Sequence, residues 1–127
     1  PIMLAITVLT SMDQKGLEST NVMLPVADQV RSLAKMAQNA GASGVVASPQ
    51  EARMLRALLG PDAFIVTPGV RPAGAAVGDQ SRIATPHDAI SNGASHLVIG
   101  RPITQADDPL DAFRAVVSEV ADASVDF

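Results

Sequence analysis

The stretch GVVASPQEARMLRALLG, residues 44–60, decides how the chain folds. It opens on a short β-branched apolar run, residues 44–47, of the kind a buried strand needs. It then sets a hydroxyl (Ser48), a proline (Pro49) and a carboxylate (Glu51) in the order that starts a helix. The hydroxyl caps an orphan amide, the proline stands where an N–H would have no partner, and the carboxylate falls at the third helical position. Gly60 suits the left-handed residue that closes a helix. Residues 44–60 therefore read as one strand followed by one helix.

Working outward, the same unit recurs. Apolar runs without polar alternation stand at residues 2–9 (IMLAITVL), 64–67 (FIVT) and 96–99 (HLVI), as expected of parallel strands covered on both faces. A helical pattern follows each of them. Thr85-Pro86-His87-Asp88 and Asp108-Pro109-Leu110-Asp111 repeat the starting device, Pro25 is expected to open the helix after the first strand in the same way, and Gly41 and Gly93 are placed to end two more. In the helix after Pro25, Val26, Val30, Leu33, Ala34, Ala37 and Ala40 share a face, with Asp28, Arg31, Lys35 and Gln38 opposite. In the last helix Leu110, Phe113, Val117 and Val120 repeat the stripe. Both stripes are expected to be core. The result is four consecutive strand–helix units with no linker or low-complexity tract between them.

Four such units fit either a small open sheet or half of an eight-stranded barrel. The chain begins PIMLAITVLT, with strand-like residues from the second position, whereas the first residues of a domain usually fray. We therefore expect an α/β chain whose four βα units, residues 1–127, form the C-terminal half of a TIM-type (βα)8 barrel and the later part of a longer protein. In such barrels the active site lies at the C-terminal ends of the strands, and phosphate is commonly held after the seventh and eighth.

Composition excludes several classes of function. A formal charge of −4, nine Lys plus Arg and no basic run leave no nucleic-acid surface. No cysteine is present, so disulfides and thiolate zinc sites are ruled out while the compartment stays open. His87 and His96 stand too far apart to suggest a histidine metal site. The apolar runs are well short of the roughly twenty residues that span a bilayer. A cytoplasmic protein that binds neither membrane nor metal is expected.

Two strand ends carry chemistry. Residues 67–86, TPGVRPAGAAVGDQSRIATP, form the longest connection; Gly69, Gly74 and Gly78 make it adaptable, and it can deliver Arg71, Asp79, Gln80 and Arg82 to a ligand. Residues 69–81 are expected to close as a lid. The last strand stops at Gly100-Arg101, where a glycine amide can approach a phosphate and a guanidinium can grip its oxygens.

LTSM at 9–12, TPGVRPAG at 67–74, GDQSRIATP at 78–86 and IGRPIT at 99–104 together resemble the orotidine 5′-phosphate decarboxylase family in its bacterial form. The resemblance covers essentially the whole chain. It implies a decarboxylation of orotidine monophosphate to uridine monophosphate that uses no cofactor and no metal, on a barrel that dimerises. By the same resemblance Thr10 meets the pyrimidine edge, Arg71 and Gln80 reach the substrate from the long connection, and Gly100 with Arg101 hold the phosphate. One part of the family pattern is missing. Its catalytic lysine and aspartates stand in a DxKxxDIPNT-type motif, and the nearest imitation here, DQKGLE at 13–18, ends in glutamate and lacks the continuation. That segment reads as a solvated loop, and no catalytic residue is assigned. The alternatives are a sugar-phosphate decarboxylase or aldolase of the same suprafamily, or a non-catalytic phosphate-binding half barrel. The expected partners are the nucleotide and either a second copy, as a homodimer, or an N-terminal half.

Overall fold

In a computed structural model of the chain, residues 1–72 and 84–123 are described. Four parallel strands, β1 (Leu4–Ile6), β2 (Gly44–Val46), β3 (Phe64–Thr67) and β4 (His96–Leu97), lie side by side in the order of the sequence. Between them run α1 (Gln14–Ser19), α2 (Val26–Asn39), a 3-10 turn at Pro49–Glu51 leading into α3 (Ala52–Leu59), and α4 (Pro86–Ser91). The short α5 (Arg101–Thr104) and the longer α6 (Pro109–Ala121) follow β4. The four predicted βα units are therefore present.

The strands are shorter than the apolar runs, and the chain shows why. A ladder continues only while the neighbouring strand offers amides and carbonyls. β3 gives way to Pro68, which has no N–H, and Gly69, at φ 74°. The amide of Val98 reaches the Thr67 carbonyl at 3.0 Å as the last rung, so Val98 and Ile99 fall outside β4. β2 likewise ends before the Ser48-Pro49 helix start, which limits β1 to three paired residues.

The helix-starting devices form as predicted at three sites. Ser48 accepts from the amide of Gln50, Thr85 from that of Asp88, and Asp108 from that of Asp111. Pro25 differs. It occupies the cap position of α2, not the first turn, and brings no side-chain oxygen. Gln14 supplies what is missing: its Oε1 accepts from the amide of Val26 at 2.8 Å while its Nε2 donates to the carbonyl of Leu24 at 2.9 Å. Residues 13–18 are also not the loop expected of them. Asp13 accepts from the amide of Gly16 at 2.8 Å and caps α1. A carboxylate three residues before a free amide nucleates a turn whatever else its spacing resembles.

The helices cover one face of the sheet. Val45 and Ile65 lie buried there with Val30 and Ala34 of α2 and Ala52, Leu55 and Leu59 of α3. The opposite face, marked by the aligned Ile6, Val46, Val66 and His96, has no helix over it, and Ile6 is 64% exposed. Coverage on both faces, expected from the apolar runs, is thus not met within the described residues. The bare side is apolar because a barrel interior is filled by side chains, not by helices.

Two further expectations need correction. Ala40 lies exposed just past the end of α2, and Gln38 turns inward to donate to the Leu59 carbonyl at 2.9 Å. In α6, Leu110, Phe113 and Val117 are each more than half exposed, and Val116 is the buried residue. α6 packs chiefly on α4 and α5. Between it and β4 remains an apolar cavity of about 340 Å³ lined by Leu97, Ile99, Ile103, Phe113 and Val116, among others. The stripe is correctly apolar, but its covering surface is incomplete.

Close approach constrains two glycines. A Cβ on Gly44 would sit 2.0 Å from the carbonyl oxygen of its strand neighbour Phe64. Gly93 has φ 117°, and a Cβ there would lie 2.9 Å from the Cβ of Arg56. Gly93→Ala is accordingly expected to lower stability by about 2 kcal/mol through a left-handed strain and a clash that no rotamer relieves. Urea unfolding checks this; an unchanged midpoint would count against it.

Candidate functional site

Because all four strands run in the same direction, their C-terminal ends share one rim. Thr10 follows β1 and is 4% exposed. Ser48 and Glu51 follow β2 and are buried. Thr67 ends β3 with its Oγ1 buried and without a hydrogen-bond partner, and Arg71 follows at 9% exposure. Gly100 and Arg101 follow β4, both exposed. Four strand ends thus bring polar groups to one side of the sheet, where the rest of the core is apolar.

The long connection is anchored at both ends. Val70 bridges Ala84, the Arg71 amide donates to the Ala84 carbonyl at 2.9 Å, and Thr85 caps α4. The side chain of Arg71 is turned to its own backbone, with Nη1 donating to the Val70 carbonyl at 3.1 Å. That contact uses one of the five donors of the guanidinium. Gln80, Asp79 and Arg82 lie outside the described residues, as does most of the proposed lid at 69–81.

Gly100 caps α5, which starts at Arg101 itself. A Cβ on Gly100 would meet no protein atom within 4 Å. Packing therefore does not require a glycine there; what it provides is an approachable backbone at the end of β4. β3 and β4 are neighbours, so Arg71 and Arg101 stand at adjacent strand ends. Thr10 is at the other edge of the sheet, three inter-strand spacings of about 4.8 Å away. The arrangement suits an elongated ligand with an anionic group near β4 and a neutral polar edge near β1.

Among the described residues no cluster of three metal-ligating side chains occurs, and no helix is long and apolar enough to cross a membrane. Lys35 is exposed on α2 and donates to Gln38 Oε1 at 3.0 Å; Lys15 is exposed on α1. Sequence reasoning treated Ser48 and Glu51 only as helix-starting groups, although their burial makes them part of the rim. The one signal available was their position immediately after an apolar run.

Arg56 was not singled out either. Its guanidinium donates to the carbonyls of Gly60, Pro61, Ala63 and Gly93 at 2.8–3.2 Å, joining the end of α3 to the turns before β3 and β4. Burial lowers its pKa, and the charge of Asp62 partly offsets this. It acts at the opposite end of the strands from the rim and is structural.

The sequence profile of the family described as Orotidine 5′-phosphate decarboxylase / HUMPS matches residues 1–116. The chain is 54% identical over 121 residues to an orotidine 5′-phosphate decarboxylase of Methylobacterium sp. (strain 4-46), covering 95% of this chain and 51% of that protein. With the protein of the same name from Thermobifida fusca (strain YX) it shares 55% identity over 116 residues, 91% of this chain and 50% of that one. Among solved structures, orotidine 5′-phosphate decarboxylase from Lactobacillus acidophilus superposes with a TM-score of 0.76 at 45% identity, over 94% of this chain and 49% of that one. The chain thus spans about half the length of the curated relatives it matches.

Proposed function

Since the chain belongs to the orotidine 5′-phosphate decarboxylase / HUMPS family, we propose that it is the C-terminal half of a decarboxylase barrel and supplies that barrel's grip on a pyrimidine nucleotide. The substrate is orotidine monophosphate and the product uridine monophosphate with carbon dioxide. The observation that carries this reading is the pair of arginines at the adjacent ends of β3 and β4, beside an uncrowded Gly100. A phosphate dianion between them is held by guanidinium forks and by a backbone amide. Thr10, at the far edge of the rim, then meets the polar edge of the pyrimidine, and Gln80 closes over the substrate from the long connection.

Loss of carbon dioxide leaves an electron pair on a ring carbon, which must be stabilised and then protonated. Neither arginine is an acid suited to that, because a guanidinium hardly ever deprotonates. In this reading the proton donor and its carboxylates come from a segment outside these 127 residues, in the half of the relatives that the chain does not match. No metal or organic cofactor takes part. A cytoplasmic setting belongs to the same proposal, since substrate and product both carry a phosphate charge that a bilayer excludes.

Arg101→Ala, made in the assembled enzyme, tests the grip. Removing a charge-assisted contact is expected to weaken uridine monophosphate binding by roughly 1.5–3 kcal/mol, about 10- to 150-fold. Uridine, which has no phosphate, should bind the variant as it binds the parent. Calorimetry with both ligands checks this; equal losses for the two would sink the assignment of Arg101 to phosphate.

A further inference from the structure

We propose that the cleft between α3 and the turn that follows α4 binds a small organic anion, a carboxylate on an apolar body. It lies at the end of the strands opposite the rim, and the inference is independent of what the rim binds. The cleft has a volume of about 470 Å³, within the roughly 300–1,000 Å³ of small-molecule sites. Arg53, Arg56, Ala57, Gly60, Pro61 and Asn92 line it. All six stand between β2 and β4 in the chain, so neither edge strand of the sheet contributes to it.

The lining presents donors and has its acceptors engaged. The carbonyls of Gly60 and Pro61, at the C-terminal end of α3, accept from Arg56 Nη1 at 2.9 and 3.2 Å. The side-chain oxygen of Asn92 accepts from Arg53, whose Nε lies at 3.3 Å and Nη2 at 3.2 Å. Both distances exceed the roughly 2.7–2.9 Å of a charge-assisted bond to an anion. A neutral amide oxygen therefore sits loosely in a fork whose planar geometry matches a carboxylate better. Arg53 is exposed, and its Nη1 donates to no described residue; nor does Asn92 Nδ2. A carboxylate laid across Nη1 and Nη2 gains a forked pair of bonds, with the Asn92 amide beside it as a further donor. No Asp or Glu lines the cleft, and the Arg56 guanidinium adds a second positive charge to its wall. Ala57, Gly60 and Pro61 form a floor of small apolar surface, which suits the uncharged body of such a ligand better than it suits an inorganic ion.

The test is a calorimetric titration of the assembled enzyme, first saturated with uridine monophosphate so that the rim is occupied, with benzoate, acetate and benzamide in turn. Benzoate is expected to bind in the millimolar range. Acetate, which lacks the apolar body, and benzamide, which lacks the charge, should each bind at least roughly tenfold more weakly. Arg53→Gln, at an exposed position, should weaken benzoate at least roughly tenfold with an unchanged far-ultraviolet circular dichroism spectrum. Ala57→Leu, also at an exposed position of α3, fills the floor and should abolish binding by a second route. No binding of benzoate, benzamide binding as tightly as benzoate, or benzoate binding that survives both variants overturns the proposal. A protein that does not bind uridine monophosphate refutes the reading of the rim instead, and the two cleft variants still decide this one.

Discussion

Purified alone, the 127-residue chain is expected to leave the absorbance of orotidine monophosphate unchanged, whether it runs as one copy or two. A positioned general acid contributes about 10²- to 10⁴-fold in a proton-transfer step, and among the described residues no group is both placed and tuned to be one. It contains two lysines. Lys35 is exposed on α2 and bonded to Gln38. Lys15 stands in the one stretch that imitates a catalytic spacing, but Asp13 there is engaged in capping α1 and Glu18 is exposed. A separately made half carrying the lysine and aspartate motif, when mixed with this chain, should restore turnover. Turnover by this chain alone that Lys15→Ala abolishes would show that residues 13–18 are catalytic after all.

Arg56→Ala is expected to cost about 3–5 kcal/mol, the largest stability loss of any single substitution considered. The side chain is 8% exposed and serves four backbone carbonyls. Truncation removes both donors from the Gly93 carbonyl, a buried contact, along with those of three part-buried carbonyls, and an unsatisfied buried acceptor costs roughly 1–3 kcal/mol. The losses are not fully additive, because the turns at 60–63 and 93 relax together. The net stability of a domain is commonly 5–15 kcal/mol, so the variant should lose a large share of its stability. Arg56→Lys should recover only part of the difference, since one ammonium cannot reach both the Gly93 carbonyl held by Nε and Nη2 and the carbonyls held by Nη1. Thermal and urea unfolding of the two variants checks this; a midpoint within experimental error of the parent for Arg56→Ala would refute the role.

Residues acting locally were legible in the sequence. Ser48, Thr85 and Asp108 cap helices as their neighbours imply, Gly41, Gly60 and Gly93 adopt positive φ, and the four strand–helix units appear in order. Each depends on interactions within a few residues, which chain spacing encodes directly. The two ends of the long connection and the Gly100-Arg101 strand end were also found, because parallel strands with helical crossovers place all their C-terminal ends together.

Other features depended on contacts between segments far apart in the chain. Arg56 looks like any helical arginine until Gly93, 37 residues later, meets it at 2.9–3.1 Å. Gln14 could not be read as the cap of α2 without the fold that carries it to Val26. The α6 stripe is core by pattern, but whether it is covered depends on what lies against it, and within this chain Phe113 and Val117 stay more than half exposed. The sequence by itself determined the four strand–helix units and their order, since periodicity and capping are local, although it missed α1, whose turn Asp13 nucleates. Only the tertiary structure decided which apolar faces are covered and which buried donors hold the turns, since burial is a property of surfaces that meet, not of the residues on either one.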